Sequence, residues 1–353
     1  MRSSLYVHVP FCERKCGYCS FYSVRAGAGD AEAWLDGIAR DAVKFRGTEV
    51  TTLYIGGGTP SVLSLSHWQE LMRTIHHNFN TLHLLEATAE ANPNSLTEEH
   101  IAFFRDNGIT RVSLGVQSLN DEELATLGRL HDSRQALRAM EMVRDAGLNL
   151  SCDLIFAVPG QTLRTWAGSL RTVMQYASHI STYQLTLEPD TPMGKLYGNE
   201  ELNREGYLFY RYAQYFLPRK GFTQYEISSF APEGQECRHN ISYWNHSDVI
   251  ALGPSASGYT GGVRYTNPRT LKAWLAGEEP EREELSPRER AIELAILSLR
   301  TKWGIRRELL LPEAERIIVR MPSDLFIITP ERIALTPKGM RLGNAIWCEL
   351  IGV

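Results

Sequence analysis

The sequence predicts an α/β fold, an open partial barrel of six βα units followed by a small C-terminal α+β domain of winged-helix-like type. Short apolar runs alternate with amphipathic helical patterns over roughly the first 190 residues. The 353 residues suffice for one large and one small domain. A charged, proline-containing stretch from Asn267 to Pro287 has the composition of a linker. We therefore expect residues 1–266 to form the barrel with a closing segment, and residues 267–353 to form the C-terminal domain.

The six expected strands are short, rich in β-branched or aromatic residues, and bounded by glycine, proline or polar turns. They are Leu5–Val9, Leu53–Ile55, Leu84–Glu90, Arg111–Gly115, Leu150–Phe156 and Thr182–Leu187. The helical patterns between them are Ala31–Phe45, Ser66–Asn78, Thr97–Asn107, Asp121–Leu127, Ser133–Ala146 and Leu163–Tyr176. Ser66, Thr97 and Ser133 are residue types that cap helix starts. Six such units imply a parallel sheet with helices outside it, and they are too few for a closed eight-stranded barrel.

The remaining third of the chain departs from this alternation. An aromatic-rich segment from about residue 195 to 265 contains one further strand-like run, Phe222–Ile227, and is expected to close one side of the barrel. Beyond the expected linker, Arg288–Lys302 predicts an amphipathic helix, Asp324–Leu335 a hairpin and Lys338–Leu350 a second helix.

Charge and hydropathy exclude several classes of partner. The net charge of −4 gives no reason to expect nucleic acid or an anionic membrane as a partner. The N-terminal run lacks the apolar core of a signal peptide, and no stretch approaches the roughly eighteen apolar residues of a membrane span. We expect a cytoplasmic protein that meets a membrane only through a partner protein. Nothing in the sequence indicates the oligomeric state.

Three of the six cysteines, Cys12, Cys16 and Cys19, lie within eight residues in the spacing CxxxCxxC. They directly follow the first expected strand, at the end where βα barrels carry their functional loops. Three thiolates hold three irons of a 4Fe–4S cluster and leave the fourth iron open to an external chelate. The amino and carboxylate groups of S-adenosylmethionine (SAM) suit that position, and one electron could then cleave SAM to a 5′-deoxyadenosyl radical. The alternative is zinc, but a closed zinc site needs a fourth ligand, and no second CxxC or HxxxH pair is present.

Polar or glycine residues follow several of the expected strands. The run Gly56–Pro60 follows the second strand, Glu90 ends the third, Gln117 follows the fourth, and Asp153 lies on the fifth. Polar groups inside apolar strands are costly unless satisfied, and glycines allow a ligand to approach the backbone closely. The repeated pattern predicts a ligand site, and its position favours ligand contact by the glycine run over a tight turn, whereas each polar residue alone is also typical of a capped loop or a hydrogen bond in the core.

Several runs resemble the oxygen-independent coproporphyrinogen oxidase superfamily of radical SAM proteins. They are LYVHVPFCERKCGYCSF, LYIGGGTPS, EANP, SLGVQSLNDEELATLGRLH, CDLIFAVPGQT, YQLTLEPDTP and QYEISSFA. Within it the chain looks most like the haem chaperone branch, the HemW type. The dehydrogenase carries a further cysteine two residues after the third, where this chain has Phe21. The chaperone branch carries an HNxxYW motif, which begins here at His239.

The resemblance also implies which residues bind cofactors. Tyr6, Gly57 and Glu90 match positions that contact a first SAM. Positions that the dehydrogenase uses for a second SAM, or for an equivalent ligand, are matched by Tyr18, Gly58, Thr59, Gln117, Arg129 and Asp153. The chain departs from the common pattern at Gly17, where proline is usual, and at Ser20, where aspartate is usual. Neither departure falls on a ligand position.

The HNxxYW motif suggests a haem site. A neutral imidazole at His239 is a suitable axial ligand for haem iron. Tyr243 and Trp244 could place aromatic faces against the porphyrin, although the same residues are often just core packing. Cys237 is a second and less favoured candidate for the ligand.

The sequence hypothesis is therefore a haem chaperone, a protein with haem as its cargo that delivers it to haem-accepting proteins and carries a 4Fe–4S cluster and SAM. The alternative is a dehydrogenase that decarboxylates coproporphyrinogen III through the deoxyadenosyl radical. Phe21 and the HNxxYW motif favour the first hypothesis. A radical SAM enzyme that acts on a non-porphyrin substrate is a third, minor alternative.

Overall fold

The computed structural model describes residues 2–198 and 202–352. Within these ranges the central feature is a sheet of twelve strands, in which the first six strands of the chain are parallel and lie side by side in chain order. These six are β1 (Arg2–Val9), β2 (Glu49–Gly57), β3 (Glu86–Ala91), β4 (Arg111–Gln117), β5 (Asn149–Phe156) and β6 (His179–Gln184). The predicted α/β fold with six parallel strands is confirmed.

Burial on both faces of the sheet explains why the sequence of β1 is so apolar. Leu5, Val7 and Val9 of β1 are completely buried, and Ser3 and Ser4 on the same strand are nearly so. Strands of a parallel sheet are covered on both faces, so they form continuous apolar runs rather than alternating ones.

Helices cover the outer face of the sheet, as predicted. They are α1 (Asp30–Ala42), α2 (Leu65–Asn78), α3 (Glu98–Asp106), α4 (Asp121–Thr126), α5 (Ser133–Asp145) and α6 (Leu163–Val173). Trp34, Trp68 and Trp166 on three of these helices have no exposed surface and anchor the main core. Burial of such large side chains contributes about 3 kcal/mol each.

Two of the three expected helix caps lie elsewhere. Thr97 does accept the N–H of His100, but α2 is capped by Ser64 rather than Ser66, and α5 by Asp132 rather than Ser133. An N-cap side chain must reach the N–H three residues further on. Ser64 reaches that of His67, and Asp132 reaches that of Gln135.

Further strands extend the main sheet at both edges, and helices lie between them in the chain. Its remaining helices and strands are α7 (Pro192–Tyr197), α8 (Leu202–Phe216), β7 (Thr223–Gln224), β8 (Ser229–Ala231), α9 (Arg238–Trp244), β9 (Val249–Leu252), β10 (Ser257–Thr260) and β11 (Val263–Thr266). β9 pairs in parallel with β1, while β8 lies antiparallel beside β6. The outermost strands do not pair with each other in the described residues, so the barrel is open, as predicted.

The segment with the composition of a linker is folded onto the main sheet. It contains α10 (Leu271–Leu275) and β12 (Glu281–Glu284), and β12 pairs with β11. Trp274 of α10 is buried and donates its indole N–H to Asp41 at 2.7 Å. All four residues of β12 are exposed, because β12 is an edge strand that faces solvent. Such a strand can be as charged as a linker, which explains the composition of this segment. A domain boundary at residue 266 stays a prediction.

A second hydrophobic core lies in the C-terminal residues. It is formed by α11 (Pro287–Leu299), β13 (Ile305–Arg306), α12 (Pro312–Arg320), β14 (Phe326–Ile328), β15 (Arg332–Leu335), α13 (Pro337–Arg341) and α14 (Gly343–Ile351). The predicted hairpin is present as β14 and β15. The predicted last helix is divided into α13 and α14 at Leu342, which leaves the helical conformation. Among the helices of the described ranges, none is long and apolar enough to cross a membrane.

Candidate functional site

The carboxyl ends of the parallel strands surround a cavity of about 520 Å³. Its volume lies within the range of small-molecule sites. Among the residues predicted for the cluster and the first SAM, the cavity wall contains Cys12, Cys16, Cys19, Gly57 and Glu90. Of those predicted for a second ligand, it contains Tyr18, Gly58, Thr59, Gln117, Arg129 and Asp153. The structure therefore brings together all the predicted site residues except Tyr6 and His239, which are not part of this wall.

The three cysteines sit on a loop that leaves β1 and returns beside it. Cys12 N donates to Val24 O at 3.0 Å and Val24 N donates to Pro10 O at 2.7 Å, which closes the loop at its base. All three thiols are free and partly exposed. The loop thus presents three soft donors to the cavity from a fixed base.

The donor set fits an iron–sulfur cluster. In the described ranges, no three His, Cys, Asp or Glu side chains converge closely enough to hold a single metal ion. Cluster cysteines do not need such convergence, because each ligates a different iron atom. Two of the sulfurs also have polar neighbours: Cys12 Sγ lies 3.4 Å from Thr59 Oγ1, and Arg129 donates to Cys16 Sγ at 3.3 Å.

The glycine run at the end of β2 packs directly against the cysteine loop. Gly58 N donates to Val9 O at 2.8 Å, and Thr59 N donates to Phe11 O at 2.7 Å. A Cβ atom on Gly58 would lie 2.6 Å from the carbonyl oxygen of Phe11, which is far too close. Glycine is therefore required here by the neighbouring backbone, as well as by any ligand that approaches it.

Glu90 extends from β3 into the cavity wall. It accepts hydrogen bonds from the hydroxyl of Tyr54 at 2.7 Å and from Gly57 N at 2.8 Å. Burial and, more weakly, the charge of Asp153 raise the pKa of Glu90, the two hydrogen bonds lower it, and the net pKa is about 7. The carboxyl group therefore becomes fully charged only above neutral pH, and a cationic ligand group would be the natural partner of that charge.

We expect SAM to bind more tightly as the pH rises through about 7, because the charged Glu90 carboxylate is a stronger hydrogen-bond acceptor for the ligand than the neutral acid. Glu90→Gln should weaken binding about tenfold and flatten this dependence, since it removes one charge-assisted hydrogen bond. Calorimetry at pH 6 and pH 8 measures both effects, with Glu13→Gln on the cysteine loop as the control. Unchanged affinity in Glu90→Gln would remove this residue from the site.

The same pKa has a consequence for stability. Between pH 4.5, the ordinary value, and about 7, the folded protein holds a proton on Glu90 that the unfolded chain releases. The contribution of this group to the free energy of unfolding therefore falls as the pH rises through that window.

Two further polar residues line the cavity, Gln117 at the end of β4 and Asp153 within β5. Asp153 accepts a hydrogen bond from Ser113 at 3.0 Å, and burial raises the pKa of Asp153 to about 6. Gln117 has a positive φ of 64°, and the pairing of β4 with β5 shifts register beside it. A left-handed backbone is uncommon outside glycine, and it turns the end of β4 toward the cavity.

Arg129 carries an unused donor that fits an anionic ligand group. Its Nη2 donates to Gly115 O at 3.0 Å, but its buried Nε has no hydrogen-bond partner in the described residues. A buried donor without a partner is costly, and the resemblance implies that an anionic group of a second SAM or an equivalent ligand is its partner.

Asn92 in the cavity wall and His8 behind it were not predicted from the sequence. Asn92 lines the cavity and hydrogen-bonds to both Thr59 and Arg129. His8 lies behind Gly57, between the hydroxyl of Tyr6 at 2.9 Å and the carbonyl of Tyr22 at 3.2 Å. The EANP run, which begins within β3, held the signal for Asn92, whereas nothing in the β1 sequence distinguishes His8 from an ordinary core residue.

His239 is buried beneath the cavity rather than in its wall. Its side chain is 1% exposed, and its ring lies 5.1 Å from that of Tyr54, which does line the cavity. Nδ1 is 2.9 Å from Thr52 Oγ1, and Nε2 is buried with no hydrogen-bond partner among the described residues. Burial lowers the pKa of His239 to about 3, so the imidazole is neutral at physiological pH.

The other residues around the HNxxYW motif make structural contacts. Tyr243 stacks edge-on against His239, with ring centroids 5.4 Å apart. Trp244 faces the guanidinium of Arg300, which lies 4.3 Å from its ring centre and also approaches Trp347 of the C-terminal core. Burial raises the pKa of the Cys237 thiol well above its usual range, which disfavours the thiolate that iron would need.

Comparison with known proteins agrees with this geometry. Residues 6–173 match the model of the radical SAM superfamily. The heme chaperone HemW of Lactococcus lactis is 32% identical over 98% of this chain and 96% of its own length. That of Bacillus subtilis is 31% identical over 99% of both chains. In fold, the chain resembles coproporphyrinogen III oxidase (HemN) of Escherichia coli, with a TM-score of 0.84 at 22% identity over 98% of this chain and 89% of that one. This protein therefore belongs to the radical SAM superfamily and, within it, to the HemW family.

Proposed function

We propose that this protein binds haem as its cargo and delivers it to haem-accepting proteins, and that it carries a 4Fe–4S cluster and SAM in its barrel. The observation that carries the proposal is the match, along nearly the whole chain, to relatives named heme chaperone HemW. We also propose, from the charge and hydropathy of the sequence, that it acts in the cytoplasm and meets membranes only through a partner.

The chain's own residues have separate roles in the barrel. Cys12, Cys16 and Cys19 would hold the cluster, Glu90 would contact the first SAM, and Arg129 would contact a second SAM or an equivalent ligand, as the resemblance implies. When bound together, the cluster and SAM supply a one-electron cleavage of the carbon–sulfur bond.

Phe21 favours the chaperone over the dehydrogenase. It lines the cavity next to the cysteine loop, and its side chain is 69% exposed. The resemblance places a fourth cysteine of the dehydrogenase at this position, and phenylalanine offers neither a thiolate nor a proton there. The likeness to the solved oxidase, at 22% identity, concerns the fold alone.

A chain of hydrogen bonds gives His239 the tautomer that a haem ligand needs. Ser242 donates to the Arg238 carbonyl at 3.2 Å, and Ser4 donates to Ser242 at 2.8 Å. Thr52 donates to Ser4 at 2.7 Å, so its hydroxyl proton is used and its oxygen must accept from His239 Nδ1. The proton of the imidazole therefore sits on Nδ1, and Nε2 holds a free lone pair of the kind that binds iron.

Haem ligation at His239 would require movement, because the imidazole is almost fully buried. The seven-residue helix α9 that carries it lies between β2 and α11 of the C-terminal core. An outward shift of this short helix would expose Nε2, and it would also break the hydrogen bond between Ser4 of β1 and Ser242 of α9.

The proposed function is tested by titrating the anaerobically reconstituted protein with haem. Wild type should bind haem with a Soret band typical of histidine ligation, and His239→Ala should weaken binding or shift the band. His100→Ala is the matched control, since His100 is also buried but lies on α3. The iron–sulfur absorption should be the same in all three proteins. Identical haem spectra and affinities in wild type and His239→Ala would make His239 a core histidine.

The same sample distinguishes the alternative. With SAM, a reductant and coproporphyrinogen III, we expect no protoporphyrinogen to be released. Sustained turnover by the wild-type protein would contradict the chaperone assignment and restore the dehydrogenase.

A further inference from the structure

Two of the cluster cysteines are connected by a chain of hydrogen bonds through a single amide side chain. Asn92 Nδ2 donates to Thr59 Oγ1 at 2.8 Å, and Thr59 Oγ1 lies 3.4 Å from Cys12 Sγ. Asn92 Oδ1 accepts a short hydrogen bond from Arg129 Nη2, and Arg129 Nη1 donates to Cys16 Sγ at 3.3 Å. Asn92 itself touches neither sulfur in these contacts, so it would act only through its two neighbours.

The donors and acceptors fix the direction of every bond in this chain. Arg129 can only donate, so the atom of Asn92 that faces it must be the carbonyl oxygen. The NH₂ group of Asn92 then faces Thr59 and donates to its oxygen. The single hydroxyl proton of Thr59 is left free to point at Cys12 Sγ. When both cysteines are thiolates, Cys12 Sγ therefore accepts from Thr59 and Cys16 Sγ accepts from Arg129. Asn92 orients both donors.

The surrounding backbone is shaped to hold this arrangement. Gly115 O accepts from Arg129 Nη2 at 3.0 Å and so fixes the plane of the guanidinium. A Cβ atom on Gly115 would lie 2.8 Å from Asn92 Oδ1 and 3.3 Å from Arg129 Nη2. Asn92 N also donates to Ser61 Oγ at 3.2 Å, which fixes the start of the side chain. The geometry therefore leaves the amide little freedom to rotate or flip.

We propose that Asn92 is a positioning residue for the cluster, which aims the Thr59 hydroxyl at Cys12 and the Arg129 guanidinium at Cys16 and thereby raises the reduction potential. Hydrogen bonds to the ligand sulfurs stabilise the more negative, reduced state of a cluster more than the oxidised state. The proposal rests on the assignment of the three cysteines to a 4Fe–4S cluster, but it does not depend on haem.

The test is a potentiometric titration of the reconstituted full chain with dithionite and redox mediators, followed by the electron paramagnetic resonance signal of the reduced cluster. We expect Asn92→Ala to shift the midpoint potential downward, by about a tenfold change in the reduction equilibrium, or about 59 mV for one electron. Asn94→Ala is the matched control. Asn94 is two residues away and donates to Glu13 on the cysteine loop at 2.8 Å, but it reaches no sulfur in the described contacts.

Variants at Thr59 separate positioning from a structural role and cover the case in which Asn92→Ala fails to fold. Thr59→Val keeps the shape but removes the hydroxyl, so it should shift the potential downward as Asn92→Ala does. Thr59→Ser keeps the hydroxyl and should retain the wild-type potential. The proposal is overturned if Thr59→Val, or a folded Asn92→Ala, keeps the wild-type midpoint. Because no haem is added, this result is independent of whether the protein is a haem chaperone.

Discussion

Replacing Cys12, Cys16 or Cys19 by alanine should abolish the iron–sulfur cluster, and this is the largest effect that we expect from any single substitution. Anaerobic reconstitution of the wild-type protein should yield about four irons and four sulfides per chain. Each variant should lose the visible absorption of the cluster, because two thiolates remain for a cluster that needs three protein ligands. Iron and sulfide analysis alongside the absorption spectrum provides the measurement.

The other cysteines supply matched controls. Cys152 on β5 is completely buried in the main core, and Cys348 on α14 is exposed. Neither lines the cavity, so Cys152→Ala and Cys348→Ala should retain the full complement of iron and sulfide. A stoichiometric zinc ion without sulfide in the wild-type protein would contradict the cluster assignment.

Most of the site was predictable because strand ends in a parallel sheet meet at one edge. The cysteine loop, the glycine run, Glu90 and Asp153 each belong to a different βα unit, and only the sheet order brings them together. That order follows chain order in this fold, so six apolar runs in sequence were sufficient to place the residues on one cavity. The resemblance to a known superfamily then indicated their ligands.

The residues that were not predictable act through contacts that sequence periodicity does not encode. Asn92 gains its role only because Thr59 and Arg129, from other loops, lie on either side of it. Trp274 and β12 belong to a segment whose charge indicated a linker, since an exposed edge strand and a linker have the same composition. The burial of His239 could not be predicted from the sequence either, because the motif does not show which side of the short helix faces the barrel.

The helix that carries His239 depends on a buried ion pair. Glu86 on β3 and Arg111 on β4 are 5% and 2% exposed, and their charged groups are 3.2 Å apart. Glu86 also accepts the backbone N–H of Arg238 at 3.2 Å and that of His239 at 3.0 Å. A carboxylate from the barrel thus satisfies the free N–H groups at the start of α9, where the end of the helix is electropositive.

Glu86→Ala should lower the free energy of unfolding by about 3–5 kcal/mol, because it leaves the Arg111 guanidinium buried without its counter-charge and removes the acceptor at the start of α9. Urea denaturation of the full chain, followed by fluorescence, measures the change. Arg138→Ala is the control, since Arg138 and Glu98 form an exposed pair 3.5 Å apart whose loss should cost less than about 1 kcal/mol.

A double variant separates the contribution of the ion pair to the free energy of unfolding from that of the acceptor at the start of α9. Glu86→Ala combined with Arg111→Met removes both charges, and the apolar Met side chain needs no counter-charge. The double variant should therefore be less destabilised than the sum of the two single variants. It should not recover fully, because the N–H groups of Arg238 and His239 still lack their acceptor. A stability of Glu86→Ala within about 1 kcal/mol of wild type would mean that solvent reaches Arg111 and that α9 is held by its other contacts alone.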